Sequence, residues 1–237
     1  MKRYTTVIFD CDGTILNTLD DLMDSMNYIL KKHNYPTRTL SEIRNFVGNG
    51  LGKLVERSVL TGTDLKVSQE QLDTMLTELK EYYAEHNNDK TAPYEGLYEL
   101  LAELKKQGYK MAVVSNKVQE GVTALNGQYF KEYFNVAIGE TPNRKRKPEP
   151  DMVNAALKAL NSTPEEAVYV GDSEVDLQTA KNSGLLPIAV TWGFRDEELL
   201  RELGAKQPDL HPFSLTEVIK QLFGNGSGIL PDSFLLI

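Results

Sequence analysis

The feature that most constrains this chain is an alternation. Short apolar runs rich in β-branched residues recur along it, and amphipathic stretches with a helical period lie between them. Thr5–Phe9 (TTVIF), Lys110–Val114 (KMAVV), Asn135–Ile138 (NVAI), Ala167–Val170 (AVYV) and Leu186–Thr191 (LPIAVT) read as strands. In Glu95–Gln107, Leu97, Leu100, Leu101 and Leu104 share one helical face, and Gly108 stands where a helix would stop. Met152–Leu160, Asp176–Asn182 ahead of Gly184, and Glu197–Leu203 ahead of Gly204 repeat that design. Strands alternating with helices predict an α/β fold, a Rossmann-like parallel sheet covered on both faces. Ligands on such sheets bind beyond the carboxyl ends of the strands. Asp10, Ser115 and Asp172 each fall just past an apolar run.

Between the first two runs the pattern breaks, because no convincing strand occurs from Leu16 to Asn88. Leu22, Met26, Ile29 and Leu30 make one apolar stripe, and Leu72, Met75, Leu76, Leu79, Tyr82 and Tyr83 make another. Ser41-Glu42 and Ser68-Gln69 read as helix starts, with Gln71 in the capping-box position after Ser68. The expected organisation is a core of residues 1–15 and 90–223, an all-helical insert of residues 16–89, and a tail of residues 224–237. That tail, GNGSGILPDSFLLI, is a Gly/Ser hinge followed by an apolar run.

Composition narrows the partners. With 41% hydrophobic and 25% charged residues among 237, a core that folds unaided is expected. The net charge of -8 argues against a nucleic-acid or anionic-membrane surface. The single cysteine, Cys11, cannot close an intramolecular disulfide. No apolar run approaches the ~20 residues of a membrane-spanning helix. Met1-Lys2-Arg3 leads into too few apolar residues for a secretory signal. The expected location is cytoplasmic, as a monomer or homodimer with no membrane or nucleic-acid partner.

Asp10-Cys11-Asp12-Gly13-Thr14 carries the strongest chemical signal. In extended chain, residues two apart share a side, so both carboxylates can face one site while Cys11 points away. Gly13 permits a sharp turn whose amides can point at an anion. An Asp-rich turn ending a strand is the bland alternative. Gly171-Asp172-Ser173 with Asp176 is the second signal, and helix capping by Asp172 is its bland reading. If these carboxylates converge, each pair at about 4 Å costs around 4 kcal/mol at an effective dielectric of 20. Such a cluster calls for a divalent cation, and oxygen ligands select a hard one such as Mg²⁺. Ser115-Asn116-Lys117 and Lys147 in RKPEP are suited to holding phosphoryl oxygens. Taken singly, they are also an ordinary turn and part of a solvated basic run.

Taken together, in this order and each after a strand, these elements resemble the haloacid dehalogenase superfamily. The resemblance spans the chain to about Phe223. It rests on Asp10 and Asp12 followed by Gly13-Thr14, on Ser115, on Lys147 within KPEP, and on Gly171-Asp172-Ser173 with Asp176. Within the superfamily the chain is most similar to phosphoglycolate phosphatases, through Val47-Gly48-Asn49-Gly50 and Thr191-Trp192-Gly193. The resemblance implies that the helical insert is a cap of the first type. It implies that Asp10 is the nucleophile and Asp12 the general acid and base. Mg²⁺ would be held by the Asp10 carboxylate, the Asp12 backbone carbonyl and Asp172, with Asp176 behind them. Gly13, Thr14, Ser115, Asn116 and Lys147 would cradle the phosphoryl group, and Gly48, Asn49 and Gly50 would meet the rest of a small phosphorylated metabolite. Arg44 or Lys53 would meet a carboxylate. The implied activity is a phosphomonoesterase, with 2-phosphoglycolate the first candidate. A phosphosugar mutase, an inorganic pyrophosphatase, and a non-catalytic protein binding through its apolar tail are the alternatives. Cys11 departs from the superfamily's usual apolar residue, and Asn17-Thr18 replaces the usual Asp-Ser.

Overall fold

The computed structural model describes residues 4–62 and 66–203. The expectations for Gly204, for the core's end at 223 and for the tail of residues 224–237 lie outside the described residues. The described chain forms two units: one runs through Ile15 and resumes at Pro93, the other is Leu16–Ala92.

In the first unit, Thr6–Phe9 (β1), Lys110–Val118 (β4), Val136–Glu140 (β5), Ala167–Gly171 (β6) and Leu186–Ala189 (β7) form a parallel sheet in the order β5-β4-β1-β6-β7. β1 suits the centre because all four of its residues are buried and none is charged. It pairs with β4 (Val7 opposite Met111) on one side and with β6 (Val7 opposite Val168) on the other. The chain fills one side of β1 with β4 and β5, then crosses to add β6 and β7. That reversal opens a crevice at the carboxyl end of β1, where Asp10 follows directly.

The helices of this unit are Leu97–Lys106 (α5), Gln119–Leu125 (α6), Asp151–Leu160 (α7), Glu174–Ser183 (α8) and Glu197–Glu202 (α9). Met152, Val153, Ala156 and Leu157 of α7 pack on Ile8, Ala112, Val114, Ala167 and Tyr169, alternate residues of three adjacent strands. Burying a large apolar side chain there is worth about 1.5–3 kcal/mol, so this layer holds helix and sheet together. β4 runs four residues beyond the expected Val114, with an irregular register between Val114 and Val118. Ser115, Asn116 and Lys117 therefore lie in the strand's final residues rather than after it.

The second unit is helical: Leu19–Lys32 (α1), Leu40–Phe46 (α2), Leu51–Leu60 (α3) and Gln69–His86 (α4). Two-residue strands, Leu16–Asn17 (β2) and Ala92–Pro93 (β3), pair where the chain leaves and returns. Leu22, Met26, Ile29 and Leu30 are buried on α1, and Met75, Leu79 and Tyr83 on α4. Ser68 and Gln71 form the expected capping box. α2 starts before the expected Ser41, because Thr39 has a reciprocal partner in Glu42. Buried Asp21 accepts hydrogen bonds from the backbone amides of Lys90 and Thr91 and from the Thr91 hydroxyl, which ties down the returning chain. Among the described residues no helix is long and apolar enough to cross a membrane.

Candidate active site

Three strand ends and one loop deliver the site. Asp10 leaves β1 with 6% exposure, and its amide donates to Val170 O, which locks it to the end of β6. Lys147, at the same exposure, lies between β5 and α7. Its position comes from Asn116: the Lys147 amide donates to Asn116 Oδ1 at 2.8 Å, and Asn116 Nδ2 donates to Lys147 O at 3.2 Å. The Lys147 ammonium donates to Asp10 Oδ1 at 2.6 Å, to Asp176 Oδ1 at 2.8 Å and to the Tyr169 hydroxyl at 3.2 Å. Three donors meet three acceptors, so a fully buried ammonium is fully satisfied.

Asp172 and Asp176 divide their work. Ser173, not Asp172, is the N-cap of α8, and Asp176 Oδ2 accepts from both the Ser173 amide (3.1 Å) and hydroxyl (2.6 Å). Asp172 is thereby relieved of capping. Its Oδ1 accepts from the Thr14 hydroxyl at 3.2 Å and its Oδ2 from the Phe194 amide at 2.7 Å. Asp12 faces β4: its carboxylate accepts from Ser115 Oγ at 3.2 Å and pairs with Lys117 Nζ at 3.1 Å.

One carboxylate oxygen from each of Asp10, Asp172 and Asp176 lies within 4.8 Å of the others. Burial, then the charge of Asp176, raises the Asp10 carboxyl well above the usual range, against the pull of Lys147. Burial and Asp176 push Asp172 up to about 7, while the Phe194 amide and Lys147 pull it down. Burial opposes the charge on Lys147, yet Asp10 and Asp176 hold its ammonium well above its ordinary value. In these contacts Asp10, Asp12, Asp172 and Asp176 face two ammonium groups, Lys117 and Lys147. An all-oxygen pocket with that imbalance fits a hard divalent cation.

Two glycines are required by Asp172. Gly13 has φ +83°, and a Cβ there would overlap the Asp172 carboxylate; a Cβ on Gly193 would overlap the same side chain. Gly13→Ala is therefore expected to cost about 2–4 kcal/mol, combining left-handed strain with overpacking. Urea unfolding of the variant checks this, and an unchanged midpoint would remove the steric argument.

Sequence reasoning groups Asp10, Asp12, Thr14, Ser115, Asn116, Lys147, Asp172 and Asp176, and the first unit places all of them at the carboxyl edge of its sheet. It misses Lys117 as a partner of Asp12, Tyr169 as a partner of Lys147, and the Phe194 amide. Lys117 is recoverable, because it lies two residues after Ser115 on an extended strand. Gly48, Asn49 and Gly50 belong to the second unit. Gly48 (φ +105°) and Gly50 (φ +82°) take backbone conformations open chiefly to glycine. Arg57, also missed, braces this loop by donating to Phe46 O at 2.9 Å and Asn49 Oδ1 at 2.8 Å. Lys53 pairs with Glu56 at 2.6 Å.

A doubly covered parallel sheet with buried carboxylates at its carboxyl edge makes the first unit an α/β fold with an acidic candidate site. The family profile described as haloacid dehalogenase-like hydrolase matches residues 7–190. Pyrophosphatase PpaX of Bacillus cereus is 32% identical over 209 residues, covering 87% of this chain and 91% of that protein. A proposed pyrophosphatase PpaX of Caldanaerobacter subterraneus subsp. tengcongensis is 32% identical over 94% of this chain and 96% of its own. A crystal structure from Lactobacillus delbrueckii subsp. bulgaricus, described as a proposed phosphoglycolate phosphatase, superposes with TM-score 0.84 at 37% identity. It spans 92% of this chain and 99% of its own. The chain belongs to the haloacid dehalogenase-like hydrolases.

Proposed function

We propose that this hydrolase is a phosphatase, which hydrolyses a small phosphorylated metabolite with Mg²⁺ through a phospho-aspartate formed on Asp10. The supporting observation is the pairing of Asp10 with Lys147 at 2.6 Å in a buried cluster whose carboxylates outnumber the ammonium groups they contact. Asp10, the Asp12 backbone carbonyl and Asp172 would hold the ion. Asp176 accepts from the Lys147 ammonium at Oδ1 and from Ser173 at Oδ2, which positions the lysine. Bound Mg²⁺ would offset charge on the phosphoryl oxygens.

Asp10 attacks phosphorus in line, an oxygen–phosphorus bond forms on its carboxylate, and the ester oxygen departs. Asp12 carries the proton that the departing oxygen takes. It then accepts a proton from water as that water attacks the phospho-aspartate, releasing phosphate and restoring Asp10. Lys147, Ser115 and Asn116 hold the phosphoryl oxygens as their charge redistributes. The organisation that goes with this chemistry is a core of residues 1–15 and 90–223. A cap of residues 16–89 selects the substrate through Gly48, Asn49 and Gly50.

2-Phosphoglycolate is the first substrate to test, supported by the 37%-identical structure. Inorganic pyrophosphate is the second, favoured by the PpaX relatives. Phosphate release over a panel of small phosphate esters with pyrophosphate included separates them. One member is expected to reach a kcat/KM of about 10⁴ M⁻¹s⁻¹ or more. Chelation is expected to abolish that turnover, and added Mg²⁺ to restore it. At a hundred times its dissociation constant, Mg²⁺ should stabilise the fold by about 2.7 kcal/mol. Turnover that survives chelation, or the lack of any thermal shift, would sink the metal assignment.

A further inference from the structure

Among the described residues, one buried cation has no part in the chemistry above. Arg195 has 6% exposure and sits directly after Phe194, whose amide holds Asp172. Its guanidinium grips Glu174 with two bonds, Nε to Oε2 at 2.7 Å and Nη2 to Oε1 at 3.1 Å. Glu174 is the first residue of α8 and lies two positions after Asp172. The loop after β7 is thus joined to the loop after β6 at two neighbouring points, Phe194 to Asp172 and Arg195 to Glu174. Trp192 adds a third by donating from Nε1 to Thr14 O at 3.0 Å, which reaches the loop after β1.

We infer that the Arg195–Glu174 pair is a positioning device that sets the orientation of the Asp172 carboxylate and thereby the affinity for the divalent ion. The inference rests on the metal assignment proposed above. A two-bond guanidinium–carboxylate contact has a fixed planar geometry, so it fixes the relative position of the two chain segments that carry it. With that contact gone, the loop loses its two-bond brace beside Asp172, while the 2.7 Å bond from the Phe194 amide, the Trp192 bond and the close approach of Gly193 remain. Groups that orient a metal ligand in this way are worth about 10–100-fold in metal affinity.

Charge and positioning predict different signs. Through charge alone, removing Arg195 makes the site more negative and should tighten cation binding, and neutralising Glu174 should weaken it. Positioning predicts weaker binding in both cases. The experiment measures Mg²⁺ affinity by calorimetry for the parent, Arg195→Met, Glu174→Gln and the double variant, with thermal unfolding of each metal-free protein. The expected result is about a tenfold weaker affinity in both single variants and no further loss in the double. Turnover at saturating Mg²⁺ should stay within about twofold of the parent, because neither side chain is placed on the reacting atoms. Opposite signs for the two single variants would show a charge effect and overturn the inference, and parent-like affinity in both would overturn it too. Should Arg195→Met not fold, Arg195→Lys keeps the charge and loses the two-bond geometry, so weaker binding there supports positioning and parent-like affinity overturns it. Should the parent bind no Mg²⁺ at all, the metal assignment falls and this inference with it. Parent binding with unaffected variants removes this inference alone.

Discussion

Asp10→Asn is expected to abolish phosphate release, by about 10⁴-fold or more, while leaving the fold as stable as the parent or more so. Loss of an enzyme's nucleophile commonly costs up to about 10⁶-fold in turnover. Asparagine keeps the shape and an acceptor oxygen for Lys147 Nζ, but it cannot form the acyl phosphate. The stability sign follows from the raised carboxyl. Burial first, and Asp176 next, lift the folded-state value of Asp10 above its unfolded one. Keeping that group ionised at neutral pH therefore opposes folding, and the neutral amide removes the penalty. Turnover and metal-free thermal unfolding measured together check both halves. Retained activity would remove Asp10 from the mechanism, and a large loss of stability would contradict the electrostatic account.

Lys147→Met should be as damaging to turnover and opposite in its effect on stability. The ammonium is fully buried and compensates Asp10 and Asp176 together. Removing one partner from a buried charge network typically costs about 3–5 kcal/mol, because the remaining charges stay desolvated and unpaired. Mg²⁺ should recover part of that loss, since it supplies positive charge to the same carboxylates. Combining Asp10→Asn with Lys147→Met should also recover stability, because one of the stranded carboxylates is then neutral. Denaturant unfolding of the four proteins, with and without Mg²⁺, tests the coupling. Additive losses would mean that the two groups do not interact.

The site is legible in the sequence wherever its chemistry is spelled by residue type at short spacing. Asp10 and Asp12 are two apart after an apolar run, Asp172 and Asp176 are four apart at a helix start, and both patterns survive in the structure. What cannot be read is carried by the backbone. The Phe194 amide that holds Asp172 lies 22 residues away, and every residue except proline has an N–H, so nothing in the letters marks it. Gly193 is visible as a glycine, but its reason, the Asp172 side chain against its Cα, exists only once two loops are adjacent. Tyr169 looks like a core strand residue and is one, yet its hydroxyl also meets the Lys147 ammonium. The start of α2 is legible at Thr39 rather than Ser41, because Thr39 with Glu42 satisfies a capping box that Ser41 cannot form with Arg44. The strand extension through Val118 reflects pairing of β4 with β5, a tertiary contact that overrides the local turn character of Ser115-Asn116.

The proposed chemistry reduces to a covalent bond between phosphorus and one carboxylate. Mass spectrometry of the protein quenched in acid during steady turnover with Mg²⁺, followed by peptide mapping, looks for that bond directly. The expected result is a phosphoryl adduct on the peptide containing Asp10, released by hydroxylamine and missing from Asp10→Asn. Rapid phosphate release with no adduct at any time, or an adduct on a different residue, would contradict the account.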